Sequence, residues 1–292
     1  MERVTSPSTP RMHVPPGHHY SPLPSGADIA RAPATGGPGP REIPGVDLHD
    51  EAQWRLLHQL LPLYPATSTW LTAGAGGHFT LDNTWFTGSD AVLYALMLQH
   101  VRPRRVVEVG AGYTSALAYD VVQRFWSPKS GVEVDLTFID PAAERVRELL
   151  PPDVLAGRLR EQQVQDTPND VFDALSSGDI LMIDSSHVLK AGSDVHHLLL
   201  QVVPGLAPGV WVHLHDVFHP FEYPAGWLAD GTALNEAYAV RALLQGNSSL
   251  RVMLWNHYLQ RFAPGWFAEH MPLCLSAPFA TGGIWLRTEG VA

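Results

Sequence analysis

From residue 103 onward the sequence alternates short apolar runs with stretches of helical length, and that alternation limits the fold more than any other feature. RRVVEVG, VEVDLTFID, RLREQQVQD, DILMID and GVWVHLHD read as strands. Between them SALAYDVVQRF, AAERVRELL, PNDVFDAL and AGSDVHHLLLQVV read as helices. Parallel strands joined through helices need crossover connections, and right-handed crossovers build a doubly wound, mostly parallel α/β sheet with helices on both faces. TALNEAYAVRALLQ supplies one more helix, and LRVMLWNHY and GGIWLRT read as late strands that add an antiparallel strand at the sheet edge.

The chain before this core divides in two. Residues 1 to 45 are rich in Pro, Gly, Ser and Thr and hold too little apolar periodicity to fold alone. HVPPGHHYSPLPS stands out there, either as part of a disordered tail or as an arm whose His18, His19 and Tyr20 help close a site. Residues 46 to 102 read as a helical cap. Leu56, Leu57, Leu60 and Leu61 recur at helical spacing over residues 50 to 61, and SDAVLYALMLQHV opens on Ser-Asp in N-cap position. Residues 103 to 292 form the core.

Composition excludes several functions. The charge of −10, from 29 acidic and 19 basic residues, argues against a nucleic-acid partner, which calls for a basic face. No apolar run reaches the roughly 18 to 20 residues of a membrane span, and the N-terminus has no secretory h-region. A single cysteine, Cys274, fits a reducing compartment, so the expected location is cytoplasmic. A homo-oligomer is compatible with the composition.

In doubly wound sheets ligands bind at the carboxyl ends of the strands. Those ends carry Glu108 and Gly110, Asp140, Gln165 and Asp166, Asp184, then His215 and Asp216. In VVEVGAGYTS, Gly110 and Gly112 allow a tight turn and close approach of a ligand, followed by Tyr113 at a helix start. Ser115 stands where a dinucleotide fingerprint wants its third Gly, and Glu108 would repel a pyrophosphate. An acid there suits a ligand carrying an amine, and Asp140 can accept both hydroxyls of a ribose.

Glu-x-Gly-x-Gly at the first strand, the acid ending the second, VQD after the third and ILMIDSSH at the fourth resemble class I S-adenosylmethionine-dependent methyltransferases. The resemblance spans roughly residues 80 to 290. IDSSHVLKAGSDVHHLLLQVVPGLAPGVWVHLHDVF is its most specific part, similar to a bacterial subgroup with IDG-x-H and HD motifs. It implies a seven-stranded Rossmann-like sheet and methyl transfer to a small molecule, on oxygen or nitrogen. It also implies that Glu108, Gly110, Gly112 and Tyr113 hold the methionine end of S-adenosyl-L-methionine. Asp140 would take the ribose, Gln165 and Asp166 the adenine, and Asp184 would lie beside the cofactor. Ser185-Ser186 departs from the Gly-Asp usual after Asp184, and Val210 from the second Gly of Pro-Gly-Gly. These departures put catalytic detail in doubt and leave cofactor binding untouched.

The end of GVWVHLHDVFHPFEYP crowds ionisable groups where a buried strand stops. Metal-dependent O-methyltransferases similar to this chain hold magnesium with an acid at strand four and an acidic pair at strand five. The matching positions are Asp184, His215 and Asp216, and the imidazole turns the preference toward Mn, Fe, Zn or Ni over Mg. Three readings stay open: a divalent metal site with His187 or His219 as a further ligand or base, an unmetallated polar site with Asp184, His187 and His215 as catalytic residues, or a structural pair. Other chemistry on the same fold and a non-catalytic cofactor binder are the alternatives to a methyltransferase. The stiff HPFEYPAGW loop offers Glu222 and Tyr223 as a substrate wall, with Asn235 and Glu236 at the next helix start.

Overall fold

The computed structural model describes residues 13–32, 39–74, 77–126 and 134–290. Its centre is a seven-stranded sheet in the order β3-β2-β1-β4-β5-β7-β6. The strands are β1 (Arg105–Val109), β2 (Asp135–Ile139), β3 (Leu159–Arg160), β4 (Ile180–Ile183), β5 (Trp211–His215), β6 (Leu250–Trp255) and β7 (Gly283–Thr288). β7 is antiparallel to both its neighbours, inserted between β5 and the outermost β6, while β1 to β5 pair in parallel. This is a Rossmann-like, doubly wound sheet. β4 is buried at every position, as a central strand covered by helices on both faces must be.

The chain order reverses beside β1, which has β2 on one side and β4 on the other. That reversal leaves a crevice at the carboxyl ends of β1 and β4, the standard ligand position of such sheets. The helical segment before the sheet shares its core. One buried cluster runs from Ile43 to Leu286 and includes Leu57, Leu60, Tyr94, Phe138 and Trp255. The helix Gly88–Val101 is buried at every residue from Gly88 to Leu98, so it reads as an interior element with little amphipathic signal. Among the described residues no helix is long and apolar enough to cross a membrane.

Several local expectations differ. Ser89 and Asp90 do not cap the helix they open: both lie inside its first turn, buried, because Asn256 and Thr281 draw their side chains inward. RLREQQVQD keeps only Leu159–Arg160 as strand, the rest turning into a short helix Val164–Asp166. LRVMLWNHY is a strand to Trp255 and a helix from Asn256. The arm lies against the core where it is apolar, with Ile43 4% exposed and Ile29 packed against the small cluster of Phe218, Tyr223, Leu228 and Ala237.

Candidate active site

The glycine loop after β1 is built around one residue. Gly110 has φ 90°, and a Cβ there would stand 1.7 Å from the Asp184 carbonyl oxygen, so no other residue fits between β1 and β4. The loop amides are satisfied from within: Gly110 N–H donates to Ile139 O at 2.9 Å, Ala111 N–H to Asp140 Oδ2 at 2.7 Å, and Gly112 N–H to Ser115 Oγ at 3.0 Å. Asp140 also accepts from Ala142 N–H at 2.7 Å.

Above this loop lies a cleft in two parts that share Gly110, Asp140, Asp184 and Ser185. The larger, about 440 Å³, is walled by Asp140, Gln163, Gln165 and Lys190. The smaller, about 270 Å³, is walled by Trp85, Phe86, Tyr113, Arg145, His187 and His215, with Asp216 at its base. The first suits a flat polar group such as a nucleoside. The second brings aromatic rings and ionisable groups around a small volume, as chemistry on a small molecule requires.

His187 is the hub of the smaller part. It occupies the left-handed region at φ 57°, as does Asp216 at φ 53°, a conformation that clusters at functional sites. Its Nδ1 meets Glu236 Oε2 at 2.7 Å, and its Nε2 faces Asp184 Oδ1 at 3.3 Å and Asp216 Oδ2 at 3.8 Å. Burial alone would lower its pKa, but hydrogen bonds to Asp184 and Glu236 hold it well above the ordinary value, so the ring is an imidazolium at neutral pH. His215 is likewise raised: burial opposes its charge, but the Asp216 and Asp184 carboxylates outweigh it. Asp184 stays below the usual carboxylate range despite its burial, because His215 and His187 face it. Asp216 is pushed up, mainly by burial.

A family model described as a methyltransferase domain matches residues 107–217. The chain is 30% identical over 171 residues to an uncharacterized protein of Archaeoglobus fulgidus, covering 55% of this chain and 73% of that one. Residues 107–217 thus form a methyltransferase domain, and the chain belongs to one family with the Archaeoglobus protein. Similar solved structures include the SAH-bound Podospora anserina methyltransferase PaMTH1, at 14% identity, TM-score 0.41, 68% of this chain and 78% of that one. Another is the O-methyltransferase TomG of Streptomyces achromogenes in complex with SAM, at 14% identity, TM-score 0.42 and the same coverage.

Within the methyltransferase domain, Gly110, Gly112, Tyr113, Asp140, Gln165 and Asp184 do line the cleft. Glu108 does not. It is fully buried, its Oε1 accepts the Thr114 and Ser115 hydroxyls, and its Oε2 has no partner among the described residues. Burial pushes its carboxyl up to about 8, so it is neutral at pH 7 and ties β1 to the helix Tyr113–Phe125. Asp166 is exposed and lines neither part, because the chain has turned after the short β3.

Asp184, His215 and Asp216 come together at the base of the smaller part of the cleft, around His187. Among the described residues no three His, Cys, Asp or Glu side chains form a group that could hold a metal. Both carboxylates face the Nε2 of His187, so an imidazole stands where a bridging cation would. His219 is no ligand: it is 0% exposed amid Trp255, Tyr258 and Phe262, and burial lowers it to about 4.

The expected substrate contacts mostly serve as supports. Tyr223 is buried and its hydroxyl accepts from Ala237 N–H at 3.0 Å, while Glu222 accepts the Tyr238 hydroxyl. Asn235 holds the His187 loop through Leu189, and Glu236 holds His187 itself. His18 stacks on His19, with Tyr20 tilted against it; His19 and Tyr20 are exposed and His18 half-buried, and none of the three lines the cleft. Sequence reasoning missed Trp85, Phe86, Arg145, Gln163 and Lys190. Only the unusual Trp-Phe pair carried a signal; the others sit in helices and turns whose aim depends on the sheet.

Proposed function

We propose that the protein transfers a methyl group from S-adenosylmethionine to the oxygen of an acidic hydroxyl, a phenol or enol, on a small molecule, without a divalent metal. The cleft fits the cofactor: the Gly110 cradle admits close approach, and Asp140 and Gln165 would hold the ribose and adenine. When bound, S-adenosylmethionine supplies an electrophilic methyl group on a positively charged sulfur. The observation that carries the reading is His187, held as an imidazolium by Asp184 and Glu236 at the wall of the smaller chamber.

An imidazolium in a buried site stabilises an oxyanion, the task a metal performs elsewhere. His187 and His215 would hold the acceptor oxygen as it loses its proton. Asp216, raised by burial and facing both rings, is the carboxylate placed to take that proton. Glu236 fixes the His187 ring, and positioning supplies much of the rest of the rate.

An assay of S-adenosylhomocysteine release, with phenols, enols, alcohols and amines as acceptors and chelator present, tests this. Turnover of acidic hydroxyls that persists in chelator and falls roughly a hundredfold in His187→Asn supports it. Turnover confined to amines, abolished by chelator, or indifferent to His187→Asn would sink it.

A further inference from the structure

The glycine loop raises a problem of charge. The amides of Gly110, Ala111 and Gly112 all donate internally, and Glu108 is buried behind them. A ligand with an amino-acid end placed on this loop therefore finds neither an anion partner nor a cation partner in the loop itself. Asp184 is at hand for an ammonium, with its side chain 30% exposed. The carboxylate needs another group.

Arg145 is the cation placed there. Its side chain lies directly over Gly112, with Cδ 3.1 Å from where a Cβ would be, and it walls the chamber that contains Gly110, Ala111, Gly112 and Asp184. Its guanidinium carbon is 3.9 Å from the centre of the Trp85 ring, and among the described residues no carboxylate pairs with it. Trp85 is 58% exposed at the chamber's edge. It is carried on a loop that Asn83 braces through the Trp85 and Phe86 amides, at 2.9 and 2.6 Å. A guanidinium stacked on an indole keeps its in-plane N–H donors free, and the stacking limits the rotamers it must give up on binding.

We propose that Arg145, held by Trp85, receives the α-carboxylate of the cofactor's methionine portion, opposite Asp184 at its ammonium. The assignment rests on the cofactor reading above and adds the residue that recognises the amino-acid end. A bidentate guanidinium–carboxylate pair is the geometry for which Arg is chosen over Lys.

Calorimetric titration of the full chain with two ligands separates this from the cofactor reading. S-adenosylhomocysteine carries the amino-carboxylate; 5′-methylthioadenosine keeps the adenosine and the thioether but lacks it. Arg145→Ala should weaken S-adenosylhomocysteine roughly ten- to hundredfold and leave 5′-methylthioadenosine within about twofold. Arg145→Lys, which keeps the charge without the fork, should fall between wild type and Arg145→Ala for S-adenosylhomocysteine alone. Unchanged S-adenosylhomocysteine affinity in Arg145→Ala, or equal losses for both ligands, would overturn the assignment. Wild-type protein that binds neither ligand would overturn the cofactor reading and the assignment with it.

Discussion

At the scale of single residues, the site depends on positions where one side chain, or none, is tolerated. Gly110→Ala would place a methyl group 1.7 Å from the Asp184 carbonyl oxygen at a φ of 90°, so β1 and β4 must separate at the cleft floor. We expect a loss on the order of ~3 kcal/mol or more in chemical denaturation, with nucleoside binding lost before the fold is. His187 gives a second prediction. On the metal-free reading proposed above, the His187 imidazole facing Asp184 and Asp216 takes the place of a shared ion. Protein purified without chelator should therefore contain far less than one transition metal per chain by elemental analysis, and Asp216→Ala should change nothing in that value. Near-stoichiometric metal that disappears in the variant would reverse this conclusion.

At the scale of elements, the wall behind His215 is a buried polar network joining the helix Gly88–Val101 to β6 and β7. Asn256 donates to Ser89 Oγ at 3.2 Å and to the Asp90 carboxylate, and its own oxygen accepts from Gly283 N–H at 2.6 Å. Asp90 accepts from Gly282 N–H at 3.3 Å, and Ser89 pairs with Thr281 at 2.7 Å. Asn256→Ala would strip partners from a buried carboxyl and two backbone amides at once, one of them the amide of His257. The expected cost is about 2–4 kcal/mol in urea denaturation, well above that of an exposed control such as Asn169→Ala. A loss under about 1 kcal/mol would mean the network relaxes onto water.

At the scale of the whole molecule, the buried ionisable groups set how stability follows pH. Glu108 is raised from 4.5 to about 8 and Asp90 from 3.8 to about 7, both chiefly by burial, so each keeps a proton that the unfolded chain has lost. Where the folded state binds more protons, stability falls as pH rises. His187 and His215 are raised above 6.5 and lose their stabilising contribution as pH climbs through their folded values, the same sign. Between pH about 6.5 and 8 these four act together, so the thermal midpoint should drop steadily across that window. Glu108→Gln keeps an oxygen for Thr114 and Ser115 and removes one titration, so its advantage over wild type should grow from pH 6.5 to 8. The slope should not vanish, because Asp90 remains.

The sequence by itself determined the alternation of strands and helices, the parallel sheet with its antiparallel strand, and the row of polar residues at the strand ends. Gly110, Asp140, Asp184, His187 and His215 were legible because period and strand position fix which end of the sheet a residue reaches. Direction along a strand does not fix which way a side chain turns once the strand is over. Glu108 and His219 are polar residues in the right place by chain position, and packing turns both away from the cleft. Trp85 precedes the sheet and reaches the site only because the segment before β1 folds over it, while Arg145 reaches it from the helix after β2 and Glu236 from a helix after β5, with directions that chain position does not fix. Tertiary structure alone decided that Nε2 of His187 stands between two carboxylates, since that arrangement needs the loops after β4 and β5 at once, and with it decided how charge is balanced in the site.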